Sequence, residues 1–170
     1  MDLNSLIRDV ENFPKEGILF KDITPLLLDA KGLQESIDKM AEEVQDVDFD
    51  IVIGPESRGF IFGVPLAYKL QKGFVPVRKP GKLPYKTIGQ SYDLEYGSNT
   101  IEMHIDAIKP GQKVIIVDDL LATGGTTKAI VDLIEKLGGE VVKIVYLIEL
   151  EGLNGREILK GQNIVSLLKY

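Results

Sequence analysis

The sequence contains no cysteine and a single histidine, His104. The lack of cysteine excludes a disulfide scaffold, a thiol nucleophile and any metal centre with cysteine ligands. One histidine excludes a histidine-rich metal site and leaves one imidazole for acid–base chemistry. The longest uninterrupted apolar run, residues 144–148, is too short to span a membrane.

The amino end, MDLNSLIRDV, has an acid rather than a basic patch before its first apolar residues. A secretory signal begins with a basic segment, so we expect no such signal and a cytoplasmic protein. The chain has 170 residues, of which 44% are hydrophobic, and it shows no linker, repeat or low-complexity segment. These features predict one globular domain over residues 1–170.

Acidic residues outnumber basic ones and give a net charge of −6. Because a protein that coats nucleic acid needs a basic face, this balance argues against a nucleic-acid partner. Residues 71–92 nevertheless contain five basic residues and no acid. A basic island on an acidic protein favours a small polyanionic ligand, and a solvated basic loop is the alternative.

Four segments are predicted to be helices: residues 3–10, 33–44, 60–70 and 129–137. In the first, second and fourth, apolar residues recur at helical spacing. Gly138 and Gly139 follow the last segment, as glycine often follows the end of a helix. The polar stretch 151–162 is expected to be a surface loop or a short helix.

Short apolar runs alternate with these helices at residues 51–53, 74–77, 114–117 and 141–148. Runs of this kind predict strands buried on both faces, and hence a mostly parallel sheet in an α/β fold. Pro76 favours an edge position for the second strand. Residues 91–104 alternate polar and apolar side chains around Gly97, which predicts an antiparallel hairpin added to the sheet.

The segment VIIVDDLLATGGTT, residues 114–127, leads from a strand into a turn rich in glycine and threonine. In open α/β sheets, ligands bind at the carboxyl ends of the strands. Gly124 and Gly125 allow backbone amides to approach a phosphate, and the following helix presents its positive end to the same anion. The side chains of Thr123, Thr126 and Thr127 can add hydroxyl donors. The segment matches neither GxxxxGK[ST] nor GxGxxG.

Asp118 and Asp119 stand directly before this expected phosphate site. Carboxylates repel a phosphate, but they accept hydrogen bonds from vicinal hydroxyls of a sugar that carries the phosphate. The pair therefore predicts a ribose phosphate as the ligand. A capped turn with a solvated acid pair is the alternative.

The segment GPESRGF, residues 54–60, predicts a second anion site. Gly54 and Gly59 bracket a tight turn after a strand, and Arg58 offers a guanidinium that can bind a pyrophosphate through two hydrogen bonds. A structural turn with an exposed arginine is the alternative.

The sequence DDLLATGGT, residues 118–126, resembles the phosphoribosyl pyrophosphate motif of the type I phosphoribosyltransferases. Four other segments are similar to that family in the same order: 13–27 to its hood, 56–63 to its pyrophosphate loop, 78–84 to its basic mobile loop and 91–97 to its hairpin. The resemblance covers nearly the whole chain. It implies the type I phosphoribosyltransferase-like fold, a central mostly parallel sheet flanked by helices, with a small hood in about residues 1–30 and an antiparallel hairpin carrying a mobile loop.

The resemblance also implies an activity in purine salvage. Phosphoribose would pass from phosphoribosyl pyrophosphate to N9 of adenine through an oxocarbenium-like transition state, giving AMP and pyrophosphate. Mg²⁺ would be the cofactor, held mainly by substrate and water rather than by protein ligands. The family's basic loop reaches towards the neighbouring subunit's site, which implies a homodimer.

The resemblance assigns a set of residues to phosphoribosyl pyrophosphate and to AMP. They are Glu56, Ser57, Arg58, Arg78, Lys79, Lys82, Asp118, Asp119, Ala122, Thr123, Gly124, Gly125 and Thr126. Arg58 and Lys82 are also expected to act in catalysis, because cations stabilise the charge that develops on the leaving pyrophosphate. A strained or cis peptide is expected at Glu56–Ser57.

The hood segment is expected to bind adenine. Phe20 would stack on the purine while Leu19 packs on its other face, and backbone groups around Lys21 would recognise the Watson–Crick edge. A core position for Phe20 is the alternative. Lys21 departs from the arginine often found here, which recognition through the backbone would tolerate. Asp22 is expected to cap a turn.

In related enzymes for 6-oxopurines, an acid occupies the position of Ala122. Alanine there favours a 6-aminopurine and places the general acid elsewhere. Glu95 is the catalytic candidate by its family position, and a surface glutamate is the alternative. Tyr96 would position the base or the loop, and His104 would be structural.

Two other functions remain open. A phosphoribosyltransferase for another purine would share every phosphate contact. A non-catalytic regulator of the same fold would sense phosphoribosyl pyrophosphate or a purine nucleotide. Such regulators usually add a DNA-binding segment or a basic face, which the net charge of −6 disfavours.

Overall fold

A computed structural model describes residues 1–94 and 96–170. The chain divides into two units, Met1–Lys39 and Met40–Tyr170. The expectation of one domain over residues 1–170 stays a prediction. Among the described residues, no helix combines the length and the apolar character that crossing a bilayer requires.

The N-terminal unit begins with a 3₁₀ helix, Leu3–Leu6, followed by strands β1 (Arg8–Glu11) and β2 (Leu19–Asp22) and helix α1 (Thr24–Leu28). Helix α2 (Ala30–Glu43) starts in this unit and confirms the predicted helix 33–44. The two strands pair antiparallel, with Val10 opposite Phe20.

The predicted helix over residues 3–10 is wrong. The Asp2 side chain accepts a hydrogen bond from the Asn4 amide (3.0 Å) and stabilises a single 3₁₀ turn, which ends at Leu6. The backbone beyond it pairs with β2, so the ladder uses the groups that a continuing helix would need.

The C-terminal unit is built on five parallel strands in the order β4-β3-β7-β8-β9. The strands are β3 (Ile51–Pro55), β4 (Gly73–Val77), β7 (Lys113–Leu121), β8 (Glu140–Glu149) and β9 (Ile164–Lys169). The four predicted strands are confirmed, and β4 lies at an edge, as Pro76 indicated. β9 was not predicted.

Strands β5 (Thr87–Asp93) and β6 (Ser98–His104) confirm the antiparallel pairing predicted for residues 91–104, but the expectation that the hairpin joins the central sheet is wrong. The hairpin is a separate two-stranded sheet, and an isolated antiparallel bridge between Arg78 and Glu102 connects it to the chain just after β4. This small sheet supplies one wall of the site described below.

The helices of the C-terminal unit are α3 (Arg58–Leu70), α4 (Gly125–Lys136) and α5 (Gly155–Ile158). The first two confirm the predicted helices, and α4 is followed by Gly138 with φ +86°. α3 packs on β3 and β7, whereas α4 packs on β5 and β8. The polar stretch 151–162 holds a 3₁₀ turn, Glu151–Leu153, and the short α5, as expected.

The core of the C-terminal unit fills the space between its sheet, α4 and the hairpin. Ile116, Ile130 and Tyr146 are fully buried in it. Lys143 interrupts the apolar run of β8, and its ammonium group donates to the backbone carbonyl of Glu43 (2.5 Å). The core therefore holds β7 and α4 in a fixed relation, and the loop between them carries the expected phosphate site.

Candidate active site

Three cavities of the C-terminal unit share Thr126, the second residue of α4. The first, of about 220 Å³, is lined by residues 120–127 and by Tyr92 and Asn99 of the hairpin. A second, of about 430 Å³, lies between the hairpin and residues 77–80. The third, of about 370 Å³, is lined by residues 55–58 and 118–120. The site thus lies at the carboxyl ends of β3 and β7, where open α/β sheets bind their ligands.

The loop between β7 and α4, residues 122–124, forms the floor of the first cavity. Gly124 has φ +88° and directly precedes the helix. A Cβ atom on Gly124 would lie 2.8 Å from the Gly155 carbonyl oxygen and 2.7 Å from Ile158 Cγ2. Only glycine satisfies both the left-handed backbone and this close packing. The first amides of α4 lack partners within the helix and can donate to an anion.

Segment α5 supports this loop from behind. A Cβ on Gly155 would meet the Ala122 carbonyl oxygen at 2.5 Å. Arg156 donates through Nε and Nη2 to the carboxylate of buried Glu149 (both 2.9 Å), and Ser166 Oγ donates to Glu149 as well (2.8 Å). The Arg156 guanidinium, followed by the Ser166 hydroxyl, holds the pKa of Glu149 below its ordinary value, despite burial. The sequence analysis did not identify this pair.

Two threonines at the start of α4 are bonded to tyrosines. Thr126 Oγ1 lies 2.9 Å from the Tyr92 hydroxyl, and Thr127 Oγ1 lies 2.5 Å from the Tyr146 hydroxyl. Tyr146 and Thr127 are both buried, and burial raises the pKa of Tyr146. The Thr127 hydroxyl is therefore engaged with the core. Neither tyrosine was predicted as a site residue: Tyr146 stands in no recognisable motif, and Tyr92 was given no role although it lies in the hairpin segment 91–97.

Asp118 and Asp119 belong to β7 itself. The predicted strand, residues 114–117, is too short, since β7 continues through both acids to Leu121. Burial, and then the carboxylate of Asp119, raise the pKa of Asp118 well above its ordinary value. Asp119 Oδ2 accepts a hydrogen bond from Arg58 Nε at 2.5 Å. Both acids line the third cavity together with Arg58.

The turn after β3 carries Glu56, Ser57 and Arg58. The Glu56–Ser57 peptide is cis, which confirms the expectation of an unusual geometry there. Glu56 Oε1 accepts from the Lys79 amide (2.8 Å) and from Arg78 Nε (3.1 Å). The hydrogen bond from the Lys79 amide, followed by the charge of Arg78, lowers the pKa of Glu56 against the effect of burial. Two of the predicted anion-binding cations, Arg58 and Arg78, thus form ion pairs in this structure.

The basic loop of residues 78–84 begins at β4. It contains a turn in which the Lys82 amide donates to the Lys79 carbonyl (3.3 Å), with Gly81 at φ +82°. The Gly81 amide donates to the Glu102 carboxylate (3.2 Å). The side chains of Lys79 and Lys82 are exposed to solvent. This end of the loop therefore rests on the hairpin.

The predicted adenine-binding residues lie on β2 of the N-terminal unit. Leu19 is exposed, and the partly buried Phe20 contacts Phe13 edge to face, with ring centroids 5.0 Å apart. Lys21 forms an ion pair with Asp9 (2.6 Å). A cavity of about 270 Å³ beside them includes Asn12 and Leu19 in its lining.

The acidic end of β2 behaves as expected. Asp22 accepts from the Thr24 amide (2.9 Å) and pairs with Arg8 (2.7 Å), so its side chain caps the turn that leads into α1. The Thr24 amide, followed by Arg8, lowers the pKa of Asp22.

The catalytic candidate Glu95 lies outside the described residues. Its neighbour Tyr96 is 85% exposed. His104 closes the hairpin opposite Thr87, and its Nε2 accepts from the Tyr85 amide (3.2 Å), in agreement with a structural role. In the part of the chain that the structure describes, no three acidic or histidine side chains are grouped as metal ligands.

Residues 26–162 match the family model of the phosphoribosyl transferase domain. An adenine phosphoribosyltransferase from Lachnoclostridium phytofermentans is 62% identical over 168 residues, 99% of this chain and 97% of the relative. A crystal structure of the enzyme from Thermoanaerobacter pseudethanolicus has 54% identity and a TM-score of 0.97, over 99% of this chain and 98% of that one.

A more distant neighbour is the adenine phosphoribosyltransferase of Saccharomyces cerevisiae, complexed with adenine and an imino-altritol bisphosphate. It is 41% identical, with a TM-score of 0.92 over 98% of this chain and 96% of that one. The likeness therefore extends over both units and through the whole site. The chain belongs to the phosphoribosyltransferase family and, within it, to the adenine phosphoribosyltransferases, the pentosyltransferases of purine salvage that transfer phosphoribose to adenine.

Proposed function

We propose that this chain transfers phosphoribose from phosphoribosyl pyrophosphate to adenine, with release of AMP and pyrophosphate. The observation that carries the proposal is the placement of the acid pair of β7 between two anion-binding turns, at residues 54–58 and 122–127. A ribose with phosphate groups at both ends needs such an arrangement.

The 5-phosphate is assigned to the loop of residues 122–126. Backbone amides at the start of α4, the positive end of its dipole and the threonine hydroxyls are all suitable donors. This loop contains no charged side chain, and therefore nothing that repels an anion. The carboxylates of Asp118 and Asp119 accept the hydrogen bonds of the ribose hydroxyls.

The pyrophosphate is assigned to Ser57, Arg58, Arg78, Lys79 and Lys82. As the glycosidic bond breaks, negative charge develops on the leaving group, and cations stabilise that state more than the ground state. The ion pairs of Arg58 with Asp119 and of Arg78 with Glu56 hold both guanidinium groups at the site before the donor binds. Glu95 remains the candidate general acid for the purine.

Mg²⁺ is proposed as the cofactor. This ion prefers oxygen ligands, keeps several waters and usually binds through substrate phosphates with one or two carboxylates. The oxygen donors of the third cavity, among them Asp118 and Asp119, suit such an ion. When bound to pyrophosphate, Mg²⁺ neutralises part of its charge. Substrate and water would supply most of its ligands.

Adenine is assigned to Leu19, Phe20 and the backbone around Lys21. The yeast relative binds adenine in its crystal structure, which supports a site for this base. A 6-aminopurine donates at N6 and accepts at N1, whereas a 6-oxopurine reverses both, so backbone groups matched to one mispair with the other. Such mispairing supports discrimination of about 10⁴-fold.

A steady-state assay with phosphoribosyl pyrophosphate and Mg²⁺ tests the proposal by comparing adenine, hypoxanthine, guanine and xanthine. We expect adenine to exceed hypoxanthine in kcat/KM by about 10⁴-fold. Similar values would overturn the adenine assignment and favour another purine. No pyrophosphate release with any base would favour the non-catalytic regulator.

A matched pair of variants tests the hood. Phe20→Ala removes the stacking ring and should raise KM for adenine, whereas Lys21→Ala keeps the backbone and should leave the preference for adenine nearly unchanged. Equal effects of the two substitutions would contradict recognition through the backbone.

We further propose a homodimer, supported by the resemblance of residues 78–84 to the family's basic loop. Sedimentation velocity checks the mass. Cytoplasmic location likewise stays a proposal from the sequence.

A further inference from the structure

The two threonine–tyrosine pairs at the start of α4 differ in their exposure to ligand. Thr127 and Tyr146 are 3% and 0% exposed, so their hydrogen bond is sealed in the core. Thr126 and Tyr92 are partly buried, and both line the cavities at the 122–127 loop. The Tyr92 hydroxyl is therefore close to whatever the loop binds.

Tyr92 reaches the loop from the hairpin. Its ring packs against the core, and its backbone in β5 pairs with Asn99 of β6. The ring also lies over the helix start, where a Cβ on Gly125 would come within 3.1 Å of Tyr92 Cδ2. Backbone pairing and ring packing thus fix the hydroxyl 2.9 Å from Thr126 Oγ1.

The number of protons determines the direction of this hydrogen bond when an anion is bound. A threonine hydroxyl has one proton and two lone pairs, and a tyrosine hydroxyl also has one proton. A phosphate oxygen only accepts, so the Thr126 proton must point to the phosphate. The Tyr92 proton then points to Thr126 Oγ1, and the two hydroxyls form a short relay in which both are satisfied.

We propose that Tyr92 is a positioning residue for the 5-phosphate of the donor and of AMP, because its hydroxyl orients the Thr126 hydroxyl. This inference rests on the proposed function, which places that phosphate in the loop. Without the Tyr92 donor, Thr126 Oγ1 loses a partner and its proton is free to rotate away from the phosphate.

The expected kinetic signature is selective. The charge of the 5-phosphate does not change during the reaction, so its binding is equal in the ground state and in the transition state. Loss of the Tyr92 hydroxyl should therefore raise KM for phosphoribosyl pyrophosphate about three- to tenfold, the range of one neutral hydrogen bond. The value of kcat should stay within about twofold.

The first experiment compares Tyr92→Phe with wild type and with Tyr68→Phe. The Tyr92→Phe substitution keeps the ring packing, and Tyr68→Phe removes the hydroxyl of a residue on α3 that is 87% exposed and lies outside the site. Besides KM and kcat, calorimetry gives the affinities for AMP and for pyrophosphate. We expect Tyr92→Phe to weaken the binding of AMP and to leave the binding of pyrophosphate unchanged. Tyr68→Phe should change neither affinity. Equal AMP affinity in Tyr92→Phe and wild type would overturn the inference.

A double-mutant cycle with Thr126→Val tests whether Tyr92 acts through Thr126. If it does, Tyr92→Phe should add nothing when combined with Thr126→Val, which removes the hydroxyl, but should keep its effect when combined with Thr126→Ser, which retains it. Additive losses in the combination with Thr126→Val would overturn the relay. A wild-type protein that binds neither AMP nor pyrophosphate would instead refute the proposed function, so the two failures are distinguishable.

Discussion

The turns that follow β3 and β7 start from neighbouring parallel strands, and each leads into a helix, yet their side chains differ in charge. The turn after β7 has no charged side chain between Leu120 and Thr127, and glycine packing and tyrosine contacts fix it. The turn after β3 contains Glu56 and Arg58, and both are already in ion pairs, with Arg78 and Asp119 respectively.

The difference teaches how one site can hold two phosphate groups with different tasks. A group that only anchors the substrate is best bound by a neutral, rigid cradle, since nothing must rearrange. A group that gains charge during the reaction is best bound by cations whose acidic partners can be exchanged for the substrate. The turn after β7 should therefore be sensitive to changes of shape, and the turn after β3 to changes of charge.

The largest expected effect is a change of shape in the neutral turn. Gly124→Ala places a Cβ against the Gly155 carbonyl and Ile158 and also strains a left-handed backbone, so the loop must move. A displacement of about 1 Å can cost about 100-fold in kcat/KM.

The control for Gly124→Ala is Gly111→Ala. Gly111 has φ +86° with open space around its Cβ position, so this substitution introduces only the backbone strain, about 1–2 kcal/mol of stability. Thermal denaturation and steady-state kinetics of both variants check the comparison. Equal kinetics in the two variants would show that the close packing behind the loop is irrelevant to the site.

The second effect concerns charge and the ribose. Asp119→Asn removes a charged acceptor, and KM for the donor should rise about 10- to 100-fold, because a hydrogen bond to a charged group contributes about 1.5–3 kcal/mol. Inhibition by pyrophosphate should be no weaker, since Arg58 loses its competing carboxylate. Asp106→Asn, at an exposed turn, is the matched control. Wild-type kinetics in Asp119→Asn would refute the ribose assignment.

The third effect is smaller and concerns the basic loop. Lys82→Ala should lower kcat by about tenfold, less than the loss of a buried donor, and should change KM little, because charge builds up on the pyrophosphate only as the bond breaks. Lys86→Ala removes an exposed charge from the same basic stretch and serves as the control. A pure KM effect would mean that the loop only recruits substrate.

The smallest effect is on stability and its pH dependence. The pKa of Asp118 is raised in the folded protein by burial and by Asp119, with opposition from Arg58, while the unfolded chain ionises near 3.8. Above that pH the folded state binds more protons than the unfolded state, so this residue lowers stability as the pH rises towards its folded pKa.

Asp118→Asn removes that cost. The variant should match wild type below about pH 3.8 and should melt at a progressively higher temperature than wild type as the pH rises, even though it binds the donor less well. Asp106→Asn should show no such trend. Thermal scans across the pH range decide the matter, and an Asp118→Asn protein that is less stable at every pH would contradict it.

The sequence predicted what depends on local pattern. The alternation of apolar runs and helices predicted the parallel sheet, and Pro76 predicted the edge strand. The glycines and threonines of residues 122–127 predicted the turn that leads into α4. It failed where pairing overrides periodicity. Val10 continues the helical spacing of the apolar residues in the preceding turn, but residues 8–11 pair with β2.

Contacts between residues far apart in the chain could not be predicted from the sequence either. Arg58 and Asp119 are 61 positions apart, and Tyr92 and Thr126 are 34 apart. No spacing rule joins such residues, because their meeting depends on how β3, β7 and the hairpin assemble. The pattern therefore predicted Arg58 and Asp119 as ligands of substrate without revealing that they form an ion pair with each other.

The continuation of β7 past Asp118 and Asp119 has a consequence for the time course of local opening. Asp118 pairs with Tyr146 of β8, and the Asp119 amide donates to the Asp118 carboxylate (2.8 Å). Both amides should therefore exchange with solvent deuterium slowly, whether or not substrate is bound. The Gly81 and Lys82 amides lie in an exposed turn, where they donate to the Glu102 carboxylate (3.2 Å) and to the Lys79 carbonyl (3.3 Å). They should exchange faster than the strand interior and should slow when substrate covers the turn. Under the proposed assignments, the ribose would be received by a strand and the pyrophosphate by an exposed turn that opens more readily, and this order favours holding the sugar while the leaving group departs.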